Sequence, residues 1–348
     1  MNPYDFVRVD WDRPPLLRPY TPSNSYSGLS GRLQGTITTL TPFFIPGKRS
    51  GTPTDYLKDR RGRAVIPGSS LKGLFRSLVE TIGGCSWWFF GRRGDSGNYS
   101  QVQYRLPDAF RRPRDLQHLD AACRLFGLIQ GNTLRAGCVG FDDAICSQPL
   151  RHDPIYTCIL STPKPHHGWY RDSQGRPAGR KFYFHATNLQ TASGWLPQNA
   201  PPDRRQNQYI RPIDAGSVFT FTAHFDNVAE DDFALLLYTI VLEPSMRHKL
   251  GYAKPAGLGS VAIRLDWIKL IDRAARYCSS ARAGVTHYDG PALDAFIQER
   301  IRPYTSDQTS VTLQDLRRIW RWPPQHELRY PTRQWFNEHP QAPIAQTP

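Results

Sequence analysis

Ile66-Pro67-Gly68-Ser69-Ser70-Leu71-Lys72-Gly73-Leu74-Phe75-Arg76-Ser77-Leu78-Val79-Glu80-Thr81-Ile82-Gly83-Gly84 is the stretch on which the fold turns. A Pro-Gly turn leads into apolar residues at 71, 74, 75, 78, 79 and 82, the spacing of one buried helical face. Serine is a good N-cap and a glycine pair a good stop, so the spacing predicts a helix starting at Ser69/Ser70 and ending at Gly83-Gly84. Lys72 and Arg76 lie four residues apart on a different stripe, which stacks two cations near the helix start.

Working outward, Gly31–Leu40 alternates as a first strand, with Leu33, Ile37 and Thr39 on one side, and Thr41-Pro42 ends it. From Pro46-Gly47 to Arg63 runs a basic loop with Lys48, Arg49, Lys58, Arg60, Arg61 and Arg63 against only Asp55 and Asp59. Downstream, a short helix is expected near Leu116–Phe126, ending at Gly127, then a strand at Cys138–Phe141 and another at Val218–Phe225. A second helix is expected over Ala229–Leu242, capped by Asn227 with Glu230 in the capping-box position. Gly259–Leu265 reads as the last core strand. Strand, helix, strands, helix, strand is the βαββαβ ferredoxin-like order, an α+β fold with an antiparallel sheet. Residues 1–30, rich in proline, form an extended arm before a 31–270 domain. Large insertions fall at 85–115 (aromatic and arginine-rich) and 150–210, and 271–348 is a helical, proline-rich C-terminal extension with helices near Pro291–Ile301 and Thr312–Trp320.

Composition narrows the partner class. The chain has 348 residues, 39% hydrophobic and 12% aromatic, enough for a full core. Against 44 Lys+Arg stand 30 Asp+Glu, a formal net charge of +14, which suits a polyanionic partner. The longest apolar stretch, Phe233–Leu242, is too short for a bilayer, so no membrane role is expected. Met1–Asp5 is polar and does not read as a signal peptide, which points to the cytoplasm. The six cysteines (85, 123, 138, 146, 158 and 278) show no CxxC pair and no zinc spacing, and are expected as reduced thiols.

Two segments carry chemistry. The 68–73 junction places backbone N–H groups, the hydroxyls of Ser69 and Ser70, and Lys72 at a helix N-terminus, which favours an anion; read alone, it also fits an ordinary capped helix. Lys249-Leu250-Gly251-Tyr252-Ala253-Lys254-Pro255-Ala256-Gly257-Leu258-Gly259 is glycine-rich but precedes a strand instead of following one, so a dinucleotide-binding reading is rejected. What remains is a lysine-flanked loop able to approach phosphates closely, expected beside the first helix.

Together these motifs resemble the RAMP superfamily of CRISPR-associated proteins. Gly31–Pro42 is similar to its first-strand signature, and Ile66–Gly73 followed by Arg76 to its strongest motif. Leu125-Phe126-Gly127, Val139-Gly140-Phe141-Asp142-Asp143-Ala144 and His248–Gly251 through Gly257-Leu258-Gly259-Ser260-Val261 follow in the expected order. Pro3–Val7 and Gly179–His185 resemble features of one type III subfamily. The resemblance spans roughly residues 1–270.

It implies a ferredoxin-like palm, a thumb drawn from 150–210, and a subunit that grips CRISPR guide RNA beside other RAMP subunits, with complementary target RNA as a further partner. The expected RNA-binding residues are Gly68, Ser69, Ser70, Lys72, Arg76, Lys249, Lys254, Gly257 and Gly259. Some such subunits cut target RNA with an aspartate in the loop before the first helix, by 2′-hydroxyl attack assisted by Mg2+ or another divalent cation. Asp55 is the match, as catalytic and metal-holding residue, with Asp59 the alternative. Competing implications are a non-catalytic capping subunit and a guide-processing endonuclease using His166-His167 or His185; for the histidines the plain reading, a mobile insertion and a satisfied core hydrogen bond, is preferred.

Overall fold

The computed structural model describes residues 3–20, 25–47, 53–87, 105–113, 115–157, 170–188, 208–278, 284–327 and 338–339. The 66–84 stretch forms helix α1, Gly68–Ile82, and buries Leu71, Leu74, Phe75, Leu78 and Val79, the face its spacing predicts. Its start differs from the expected serine cap. Pro67 takes the N-cap position without a side-chain bond, and the Gly68 N–H donates to the Asp143 carboxylate at 2.8 Å. The cap arrives from 75 residues downstream, so both serines sit inside the first turn.

The central sheet is built on β1 (Leu29–Thr39). Its other strands are β2 (Ala64–Ile66), β3 (Val139–Phe141), β4 (Ala144–Cys146), β5 (Val218–Val228), β6 (His248–Lys249), β7 (Ser260–Ile271) and β8 (Val285–Asp289). Their order is β6-β7-β1-β5-β4-β2, with β8 on β7 and β3 on β5, and every pairing is antiparallel. Strands β7, β1, β5 and β3/β4 therefore lie as fourth, first, third and second, the ferredoxin-like order. Register sets Ile37 between Phe219 and Ile263, and Leu33 between Ala223 and Ile268. Both β1 side chains are fully buried in the core shared with α1 and with α3, Glu230–Val241.

The structure corrects the expected cap of α3. Asn227 lies at φ +55°, where β5 slips register, and its side-chain oxygen accepts from the Ser27 and Gly28 N–H groups. Ala229 is the N-cap residue; Glu230, Asp231 and Asp232 in the first turn complement the helix dipole instead. A short α2, Ala121–Phe126, is capped by Asp120 and tied to α3 through Arg124, whose guanidinium grips Asp232 with two bonds of 2.7 Å.

Segments near both ends of the sequence join this core. Tyr4–Val7 pairs antiparallel with Arg180–Tyr183, Phe6 opposite Lys181. After a short α4, Arg273–Cys278, and β8, helices α5 (Gly290–Thr305) and α6 (Val311–Ile319) bury Leu293, Phe296, Ile301, Leu313 and Leu316 against it. Arg8 clamps α6 through Asp315, at 2.7 and 3.1 Å. Within the expected thumb, 158–169 and 189–207 lie outside the described residues, and so does His166-His167. Among the described residues no helix is long and apolar enough to cross a membrane.

Candidate nucleic-acid interface

The residues of the 68–73 junction have distinct jobs. A Cβ on Gly68 would meet the Phe141 carbonyl oxygen at 2.1 Å, so glycine is required for α1 to seat against β3. With the Asp143 carboxylate already on its N–H, Gly68 positions the helix instead of facing a ligand. Ser69 is exposed. Lys72, half-buried, makes no hydrogen bond or ion pair among the described residues. Arg76 is different: its guanidinium is held by Glu80 at 2.8 Å and by the Gly127 carbonyl at 3.0 Å, so it braces α1 against the end of α2.

Gly73 follows Lys72 inside the helix, exposed, with nothing within 4 Å of where a Cβ would stand. A mid-helix glycine costs about 0.5–1 kcal/mol relative to alanine. Among the described residues nothing packs against it.

The glycine-rich loop lies beside α1, as expected. It closes the β6–β7 hairpin, and the His248 ring at its base meets Phe75 of α1 edge-on, 6.0 Å between centroids. Gly259, at φ +87° and with the Leu250 carbonyl 1.9 Å from a Cβ position, admits no side chain. Gly257 is likewise left-handed, at φ +99°. Lys249 is buried and reaches Ser260 Oγ at 3.1 Å and the Gly257 carbonyl at 3.3 Å; burial, with the neighbouring Lys254, pushes its ammonium down to about 7. Lys254 donates to the Gly251 carbonyl at 2.7 Å, and burial lowers it as well.

The sequence reading passed over Lys181. It lies 3.6 Å from the Tyr4 ring centroid and 5.1 Å from that of Tyr183, and burial brings it down to about 8. The available signal was alternation in Arg180–Phe184, which turns Phe182 and Phe184 into the core and leaves Lys181 and Tyr183 half-buried. Together Lys181, Lys249 and Lys254 line one cavity of about 470 Å3, whose other walls include α1.

Asp55 belongs to a separate neighbourhood. Thr54–Asp55 pairs in parallel with Tyr209–Arg211, and its carboxylate sits 2.7 Å from Lys58 Nζ and 3.6 Å from Arg211 Nη1. Asp59 closes a turn: its carboxylate accepts from the Arg61 and Arg63 N–H groups and from Arg63 Nε, and these bonds outweigh desolvation to hold it below the usual carboxylate range. Among the described residues, no group of three His, Cys, Asp or Glu is placed to hold a metal. Asp55 Oδ1 is buried without a hydrogen-bond partner, but a divalent cation there would have to compete with Lys58 and Arg211, and the described side chains supply no set of three ligands for it. His185 is a satisfied core histidine, bonded to Ser260 Oγ and the Arg247 carbonyl at 2.9 Å each; burial, then Lys249, holds it well below its ordinary value.

The model of the RAMP superfamily matches residues 36–262, well over half of the chain, from the end of β1 to the start of β7. No curated protein matches it.

Proposed function

The chain belongs to the RAMP superfamily of CRISPR-associated RNA-binding proteins, and from that premise we propose that it is a guide-RNA-binding subunit of a type III effector ribonucleoprotein. It holds the guide backbone where the basic loop enters α1, beside other RAMP subunits and the complementary target RNA. The observation that carries this reading is Lys72-Gly73: a cation without a hydrogen bond or ion pair among the described residues, next to an exposed helical glycine that none of them packs against. Phosphate contact supplies the charge partner, and glycine lets the backbone of the RNA come close. The loop supports it. Asp55 and Asp59 are each neutralised internally, while Arg60 and Arg61 stay exposed and unpaired among the described residues.

In this reading the subunit binds and does not cut, because Lys58 bonds one Asp55 oxygen and Arg211 lies 3.6 Å from the other, so the carboxylate sits between two cations. The test is a complex reconstituted with guide RNA and given complementary RNA, with magnesium, with EDTA, and with Asp55→Ala. Cleavage unchanged by Asp55→Ala, or absent throughout, agrees with a binding role. Magnesium-dependent cleavage abolished by Asp55→Ala would make this subunit the nuclease.

A further inference from the structure

The Arg180–Tyr183 strand, the 77–81 turn of α1 and the glycine-rich loop enclose the cavity of about 470 Å3 noted above, within the range of small-ligand sites. Its charges do not cancel. The one lining acid, Glu80, is taken twice over, by Arg76 at 2.8 Å and Arg180 at 3.2 Å. That leaves Lys181, Lys249 and Lys254 without a carboxylate partner among the described residues. Buried charges in folded proteins are paired or neutralised, because desolvation is costly. Here the local bonds go only to neutral groups, the Gly251 and Gly257 carbonyls and the Ser260 hydroxyl, while Lys181 rests on two aromatic rings. Lys181 and Lys254 thus face the cavity with no anion among the described residues, over a Lys249 that burial brings to about 7.

The rest of the wall says which anion. Phe6, Trp87, Tyr170, Tyr183 and Trp320 line the same space, so it is a basic floor with aromatic sides. Of these, Phe6 and Trp320 are buried while Trp87, Tyr170 and Tyr183 are half-buried, and a bare inorganic ion makes no use of their rings. An acidic peptide needs one or two carboxylates and no flat partner. A nucleotide uses both, with phosphate on lysine and the base on an aromatic face.

We infer that this cavity seats a single nucleotide unit, its phosphate bonded by Lys181 and Lys254 over Lys249 and its base against the aromatic wall. This deepens the RNA-binding reading, on which it rests: the nucleotide is one residue of bound RNA, separate from the backbone grip at Lys72-Gly73. A free nucleoside monophosphate offers the same chemistry, so the experiment includes both sources.

The full-length chain is titrated with adenosine 5′-monophosphate, adenosine and inorganic phosphate. The nucleotide should saturate, with adenosine at least about tenfold weaker, and Lys181→Met and Lys254→Met should each weaken the nucleotide by about tenfold or more, as expected for losing a charged hydrogen bond. Circular dichroism checks that the variants fold. If they do not, acylation of Lys181 in the unaltered protein, read by mass spectrometry, takes their place. Protection by a short 5′-phosphorylated RNA assigns the cavity to RNA; protection by the monophosphate alone assigns it to a free nucleotide. No saturation by the nucleotide, equal affinity in both folded variants, or stronger protection by polyglutamate than by either nucleotide probe overturns the inference. An RNA affinity indifferent to Lys72→Ala would sink the backbone-grip reading while leaving the monophosphate result standing.

Discussion

Two glycines five residues apart on one helix should answer opposite ways to the same substitution. In Gly68→Ala the new methyl starts 2.1 Å from the Phe141 carbonyl oxygen, and backbone cannot flex away like a side chain, so α1 and β3 must separate by about 0.9 Å to reach even 3.0 Å. That shift stretches the 2.8 Å bond from Gly68 N–H to Asp143. Overpacking of this kind costs about 1–3 kcal/mol and a lost bond to a charged group about 1–3 more, so the loss should be about 2–6 kcal/mol. Gly73→Ala adds a methyl into open space and gains helix propensity, about 0.5–1 kcal/mol of added stability. Urea denaturation followed by circular dichroism measures both. RNA binding should move the other way for Gly73→Ala, with a more stable protein holding RNA less tightly. If Gly68→Ala costs under about 0.5 kcal/mol, the close approach is not a real constraint. If Gly73→Ala leaves RNA affinity unchanged, the glycine is not a contact.

Two further outcomes probe the core. His248 is fully buried with its Nε2 against the Thr239 carbonyl at 2.8 Å, and burial lowers it from 6.5 to about 4. Between those values only the unfolded chain takes up the proton. The contribution is therefore whole above pH 6.5 and is lost as pH falls toward about 4, roughly 3 kcal/mol in all; His248→Gln should flatten that acid limb in denaturation at stepped pH. Arg124→Met strands the buried Asp232 carboxylate and should cost about 3–5 kcal/mol, with most of it regained in Arg124→Met/Asp232→Leu. A small loss in the single variant would mean that the pair does not join α2 to α3.

Local periodicity made α1 and the paired faces of β1 and β5 legible, because a 3.6-residue or two-residue repeat depends on near neighbours. What failed depended on distant ones. Nothing near Ser69 announces that Asp143 will cap the helix, and Asn227 looks like a cap until β5 is seen to run past it to Val228. The last core strand was expected to stop at Leu265; it continues to Ile271, past a register shift, because β1 pairs along one side of it and β8 comes back along the other. The glycine-rich loop was placed correctly from its position before a strand. Its lysines read as phosphate contacts, yet Lys249 faces a cavity that also needs the 180–183 strand, and that strand forms only when Tyr4–Val7 pairs with it. Arg76 shows the limit of a motif: the residue is where the pattern puts it, but Glu80 and Gly127 already hold it.

The central claim is that RNA phosphate meets Lys72 at the start of α1. Its most direct test is the affinity for single-stranded guide RNA as a function of salt, for the unaltered chain and for Lys72→Ala. Each phosphate contact on a single strand contributes about 0.7 to the slope of log affinity against log salt. The account predicts a steep slope that becomes shallower by about that amount in Lys72→Ala, with weaker binding at every salt concentration. Coincident lines for the two proteins would contradict it.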